Sequence, residues 1–131
     1  MIVDSSALVA ILMEEAEAAE FSFRLATEDP MISAASLTEC MIVLHGKAGE
    51  GMVRELDVLL RSAAVAVLPV DEAQARLAGN AYARYGRGSG SPARLNYGDC
   101  FSYALAITRD EPLLFTGDDF VHTDVRRMES A

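Results

Sequence analysis

Four short apolar segments, separated by longer stretches of helical character, restrict the fold of this 131-residue chain more than any other feature. They are rich in β-branched or long aliphatic residues and occupy residues 1–3, 31–33, 65–70 and 113–116. No hairpin signal such as Asn-Gly connects any two of them. Because strands that alternate with helices form parallel sheets, we predict an α/β fold with a central, mostly parallel sheet.

Helices are predicted around these strands by apolar residues at helical spacing and by capping residues. Ser5 or Ser6 is expected to cap the first helix, which ends near Leu12. The others are expected at residues 16–26, 35–47, 52–63, 71–85 and 96–108. Glycines within residues 46–51 break the third helix, and residues 86–94 have the composition of a flexible loop.

Composition predicts the kind of protein. With 51% hydrophobic residues, residues 1–131 have enough apolar material for a single domain with one core. No apolar run approaches the roughly 20 residues of a membrane span, and the N-terminus lacks the pattern of a signal peptide, so we expect a cytoplasmic protein. Cys40 and Cys100 lie in apolar helical stretches and are expected to be reduced core thiols.

The formal net charge of −9 argues against a nucleic-acid partner, but the charge is unevenly distributed. Between Glu72 and Asp99 there are no acids, and this cationic window contains Arg76, Arg84, Arg87 and Arg94 beside Tyr82, Tyr85 and Tyr97. Guanidinium groups beside aromatic rings suit phosphates and unstacked bases. An ordinary solvated helix face followed by a polar loop explains the window equally well.

Four carboxylates fall where strands end or where the following helices begin: Asp4, Glu39, Asp99 and Asp118. In a parallel sheet these positions share the carboxyl edge, where ligands bind. Each acid also has a local explanation. Asp4 and Asp99 suit the N-terminus of a helix, and Asp118 suits a turn. Ser36 and Glu39 match the spacing of a capping box.

Considered together, the four acids predict a metal site. Carboxylates a few ångströms apart do not all stay ionised unless a cation lies among them. The candidate ligands are all oxygens, which suits Mg²⁺, or Mn²⁺ as its substitute, better than Zn²⁺. His45 and His122, the only histidines, are too scattered for a histidine-built zinc site. Such a metal would activate water for phosphodiester hydrolysis.

Four blocks of the sequence together resemble the PIN-domain ribonuclease toxins of the VapC type. They are MIVDSSALVAIL, ISAASLTECMIVL, LNYGDCFSYALA and EPLLFTGDDFVHTDV, and they span nearly the whole chain. The resemblance assigns the catalytic, metal-binding quartet to the four acids already named. It adds candidate substrate contacts at Ser5, Thr116, Arg87 and Arg94. Asp119 and Asp124 are possible secondary acids, and Asp119 is an alternative to Asp118 as the residue that faces the metal.

The resemblance also implies a three-layer sandwich, Mg²⁺-dependent endonucleolytic cleavage of RNA, a VapB-type antitoxin that blocks the cleft, and a homodimer. We expect antitoxin or dimer contacts on the apolar far side of the Glu39 helix and on the helix at 52–63. A receiver-like phosphorelay domain is an alternative, but it requires a lysine at a strand end, and the only lysine, Lys47, lies in a predicted helix. A non-catalytic binding module with the same fold is a further alternative.

Overall fold

A parallel four-stranded sheet forms the centre of the computed structural model, which describes residues 1–128. Its strands are β1 (Ile2–Val3), β2 (Met31–Ser33), β3 (Ala66–Leu68) and β4 (Leu113–Leu114). They are arranged in the order β3-β2-β1-β4, and every neighbouring pair is parallel. The predicted α/β class with a parallel sheet is therefore confirmed, although the strands β1, β3 and β4 are shorter than predicted.

Helices occupy the stretches between the strands, as predicted. They are α1 (Ser5–Leu12), α2 (Ala18–Thr27), α3 (Ala34–Ala48), α4 (Glu50–Ser62), α5 (Glu72–Tyr85) and α6 (Tyr97–Arg109). The predicted break of the third helix within residues 46–51 is confirmed, although α3 continues past Gly46 to Ala48. The break comes at Gly49, whose φ of 79° favours a residue without a side chain.

The helix caps differ from two of the predictions. Asp4 itself caps α1, since its carboxylate accepts a hydrogen bond from the backbone N–H of Ser6, so neither serine is the cap. Ser33 caps α3, which places Ser36 within the helix and makes the predicted capping box wrong. The predicted acid at the start of α6 is confirmed: Asn96 and Asp99 form a reciprocal capping box.

Both faces of the sheet are covered by helices, because side chains alternate along each strand. Ile2 and Leu113 belong to a hydrophobic cluster with residues of α5 and α6. Their neighbours Val3 and Leu114 belong to a second cluster with residues of α1 to α4. The molecule is therefore a three-layer sandwich, as the resemblance implies.

Hydrogen bonds join the residues that follow β1 to those that follow β4. The backbone N–H of Asp4 donates to the carbonyl of Leu114 at 3.0 Å, and the N–H of Thr116 donates to the hydroxyl of Ser6 at 3.2 Å. Since β2, β1 and β4 are neighbouring parallel strands, the residues that follow them lie at the same edge of the sheet. Ligands of parallel sheets bind at such an edge.

The structure has no helix in residues 1–128 that is long and apolar enough to cross a membrane. Cys40 and Cys100 are buried free thiols, as predicted. That residues 1–131 form a single domain stays a prediction.

Candidate active site

A cavity of about 280 Å³ opens at the carboxyl ends of β1 and β4. Of the residues predicted to form the site, the following line it: Asp4, Ser5, Glu39, Asp99 and Thr116. Asp119 lines it as well. A larger cavity, of about 980 Å³, lies between α2 and residues 112–117, but none of the four predicted acids reaches it.

Asp4 is held by hydrogen bonds to both carboxylate oxygens. Its Oδ1 accepts from the Ser102 hydroxyl at 2.6 Å, and its Oδ2 accepts from the Ser6 N–H at 3.0 Å. The Ser102 Oγ also lies 2.9 Å from the Ser36 Oγ. Because the single proton of Ser102 goes to Asp4, Ser36 must be the donor in the second contact. These buried hydroxyls fix the orientation of a carboxylate that is only 2% exposed.

Glu39 extends from α3 toward the start of α1. The Ser5 hydroxyl donates to its Oε1 at 2.6 Å, which fixes the carboxylate beside the first turn of α1. Burial raises the pKa of Glu39; the hydrogen bond from Ser5 opposes this shift, and the charge of Asp4 adds to it. Ser5 therefore acts in this structure as a hydrogen-bond partner of Glu39.

Asp99 is the most strongly perturbed acid of the cavity. Burial raises its pKa to about 7, and the hydrogen bond from the Asn96 N–H opposes the shift. The nearby charges of Asp4, Asp119 and Glu39 raise the pKa further. Burial is the main cause of the shift, and the three neighbouring acids place further negative charge around Asp99, while no basic side chain is among the described residues that line the cavity.

The two adjacent acids after β4 are both exposed, but Asp119 lines the cavity and Asp118 does not. The turn between them and β4 includes Gly117, with a φ of 93°. Phe120 is buried and packs against Phe115 with ring centroids 5.1 Å apart, which anchors the segment directly after Asp119. Asp119 was predicted only as an alternative to Asp118, and the signal in the sequence that could have favoured it is the large apolar residue Phe120 directly after it.

Asp124, the other possible secondary acid, has a different environment. Its Oδ1 accepts a hydrogen bond from the Tyr103 hydroxyl at 2.6 Å, and its Oδ2 lies 3.9 Å from an Arg84 nitrogen. It does not line the cavity. These contacts fix the segment after Asp119 against α5 and α6.

The arginines of the cationic window do not line the cavity, although Asn96 near the end of the window does. Arg87 and Arg94 are exposed, and the loop that carries them is closed by a hydrogen bond from the Arg87 N–H to the Leu95 carbonyl. Arg76 pairs with Glu72 at 2.8 Å on the surface of α5. The contacts of Arg87 and Arg94 with RNA stay predictions.

The donor set of the cavity fits a divalent cation that binds oxygen. Within residues 1–128, no three acidic, histidine or cysteine side chains are grouped closely enough to hold a metal ion by themselves. Mg²⁺ does not require such a cage, because it keeps several waters and binds through one or two carboxylates together with substrate phosphate. The charges of Asp4, Asp119 and Glu39, which add to the raised pKa of Asp99, would be offset by a cation among them.

The stability of the metal-free protein should therefore depend on pH. The pKa of Asp99 rises from 3.8 to about 7 on folding, so the folded state keeps a proton that the unfolded chain releases. The contribution of Asp99 to the free energy of unfolding is therefore complete below about pH 4 and is lost as the pH rises to about 7. Melting temperatures of wild type and Asp99→Asn should diverge over this range, with the wild type falling more. Parallel curves would contradict the assignment of this pKa.

Comparisons with known proteins agree with this architecture. A family model described as the PIN domain matches residues 1–126. Ribonuclease VapC28 of Mycobacterium tuberculosis is 56% identical over 128 residues, which cover 97% of this chain and 96% of the relative. The crystal structure of Mycobacterium tuberculosis VapC20, a toxin that cleaves the sarcin-ricin loop, covers 98% of both chains with a TM-score of 0.80 at 17% identity.

A chain of a toxin-antitoxin complex from Klebsiella pneumoniae also matches, with a TM-score of 0.67 at 17% identity; the match covers 94% of this chain and 92% of that chain. The two solved structures support the fold, and the family follows from the sequence matches. Since the PIN model and a VapC ribonuclease of 56% identity each span almost the whole length, this chain belongs to the PIN-domain family as a VapC-type member.

Proposed function

We propose that this chain is a metal-dependent endoribonuclease, the toxin of a toxin-antitoxin pair, and that the carboxylate cavity is its active site. The observation that carries the proposal is that four acids from separate parts of the chain line one cavity: Asp4, Glu39, Asp99 and Asp119. Membership of a family whose relatives are named VapC ribonucleases supports the same activity. The receiver-like alternative does not agree with this family.

The metal we propose is Mg²⁺, with Mn²⁺ as a substitute, held by the carboxylates of Asp4 and Asp99 with Glu39 and Asp119 nearby. When bound, it would neutralise charge on the phosphoryl oxygens and activate water for attack. The choice of metal is supported by the oxygen-only donor set. We propose Asp119 rather than Asp118 as the fourth acid of the quartet, because Asp119 lines the cavity and Asp118 does not.

The surrounding residues orient these carboxylates before substrate arrives. Ser102 and the Ser6 N–H hold both oxygens of Asp4, and Ser5 holds Glu39. Such preorganisation is effective because the groups do not have to reorient during the reaction. Thr116 lines the same cavity, which supports a contact between its hydroxyl and the substrate phosphate.

We propose an antitoxin and a second copy of the chain as protein partners. Exposed apolar side chains support this: Ile42 is 67% exposed on α3, and Val58 is 60% exposed on α4. Both helices were predicted as contact surfaces. A cytoplasmic location is supported by the free thiols of Cys40 and Cys100.

RNA cleavage by antitoxin-free protein tests the proposed function. The purified chain should cut single-stranded RNA internally in the presence of Mg²⁺, and excess EDTA should stop the reaction. Asp4→Asn, prepared in the same way, serves as the control for a contaminating nuclease. Cleavage that persists in EDTA or in the Asp4→Asn protein, or no cleavage of any RNA substrate at saturating Mg²⁺ and Mn²⁺, would contradict the proposal.

A further inference from the structure

Gly98, in the first turn of α6, occupies a position whose backbone does not require glycine. It is absent from the glycines with positive φ, and alanine is more favourable than glycine in a helix. A second glycine, Gly79 in α5, also lies within a helix, and apart from its chain neighbours and its own helix backbone no atom lies within 4 Å of the position that a Cβ would occupy there. Gly98 therefore needs an explanation from its surroundings.

The surroundings of Gly98 are occupied by the carboxylate of Glu39. A Cβ at residue 98 would overlap that carboxylate, since the carboxyl carbon and both oxygens lie closer than 3.0 Å to its ideal position. Glu39 reaches this place from α3, and the Ser5 hydroxyl holds its Oε1 at 2.6 Å. The carboxylate is thus fixed between α1 and the first turn of α6, directly beside Asp99.

We propose that Gly98 is a positioning residue: the missing side chain allows the Glu39 carboxylate to lie against α6 and to share the cavity of Asp4 and Asp99. This inference rests on the proposed nuclease function for its effect on activity, but its structural part is independent of it. The residue does not contact substrate or metal. It acts only through the place that it leaves for Glu39.

Alanine at position 98 should lower the rate of RNA cleavage without lowering the melting temperature. The obstructing group is the far end of a flexible side chain, so Glu39 can swing away from a new methyl group without disturbing the backbone. Gly98→Ala should therefore melt no lower than wild type, because the helix gains a better helix former. RNA cleavage should fall by about tenfold to a hundredfold, since small misplacements of catalytic groups have effects of this size.

A double-mutant cycle distinguishes this role from a general structural one. If Gly98 acts through Glu39, adding Gly98→Ala to Glu39→Ala should slow cleavage no further. Gly79→Ala is the matched control and should retain wild-type activity. Full activity of Gly98→Ala, or an equal loss in both backgrounds, would overturn the proposal.

A crystal structure of metal-free Gly98→Ala provides a readout that does not depend on activity. The Glu39 carboxylate should leave its place over α6, and its hydrogen bond with Ser5 should lengthen or break. An unmoved carboxylate would overturn the proposal. If the wild-type chain cut no RNA, the proposed function would fail, whereas this structure would still decide the role of Gly98.

Discussion

Asp99→Asn should reduce RNA cleavage by about a hundredfold or more, which is the size of effect expected when a group that stabilises charge in the transition state is removed. Asparagine has nearly the same shape as aspartate, but it lacks the charge that we propose for metal binding. Its side-chain oxygen can still accept the hydrogen bond from the Asn96 N–H, so the cap of α6 is kept. The measurement is the initial rate of cleavage of a labelled RNA at saturating Mg²⁺.

The same variant should be at least as stable as wild type at pH 8, because the substitution removes a charge from a site that is only 7% exposed. Asp71→Asn is the matched control. Asp71 also caps a helix, with its Oδ1 accepting from the Gln74 N–H at 2.8 Å, but it lies outside the cavity and should leave cleavage unchanged. Full activity of Asp99→Asn, or an equal loss in Asp71→Asn, would contradict the proposed active site.

Asp119→Asn and Asp118→Asn should differ sharply although the two residues are adjacent. Asp119 lines the cavity and contributes to the raised pKa of Asp99, so removing its charge should slow cleavage by about tenfold to a hundredfold. Asp118 is exposed outside the cavity, and its substitution should change the rate by less than about twofold. Both variants are compared with wild type at equal protein and Mg²⁺ concentrations.

Each variant serves as the control for the other, because both make the same chemical change in the same turn. Both proteins should melt near the wild-type temperature, since neither carboxylate has a role in the core. The reverse ranking, with Asp118→Asn inactive and Asp119→Asn active, would restore the assignment made from the sequence. Equal loss in both would mean that the turn binds substrate or metal through both acids.

Much of the fold follows from local signals in the sequence. The short apolar segments identified the strands, and helical spacing identified the helices, of which α5 and α6 are capped in the structure by Asp71 and Asn96. The caps of the first and third helices were less predictable. Ser5 and Ser33 are both hydroxyl residues near a strand end, and only the three-dimensional path of the chain decides which residue adopts the extended cap conformation.

The candidate site was predictable in kind but not in every member. Strand ends in a parallel sheet gather side chains, so Asp4, Glu39 and Asp99 were expected near one another. The choice between Asp118 and Asp119 depends on how one turn is oriented, which adjacent identical residues do not reveal. The role of Ser102 depends on a contact between α6 and the end of β1, 98 residues apart in the sequence.

Locating Mn²⁺ in a crystal of the antitoxin-free protein is the most direct test of the central claim, that the carboxylate cavity binds a divalent metal. Mn²⁺ is a substitute for Mg²⁺ and can be identified by its anomalous scattering. The account predicts an anomalous peak in the cavity, within direct or water-mediated reach of the carboxylates of Asp4 and Asp99. An empty cavity at saturating Mn²⁺, or a peak bound only to acids elsewhere on the surface, would contradict it.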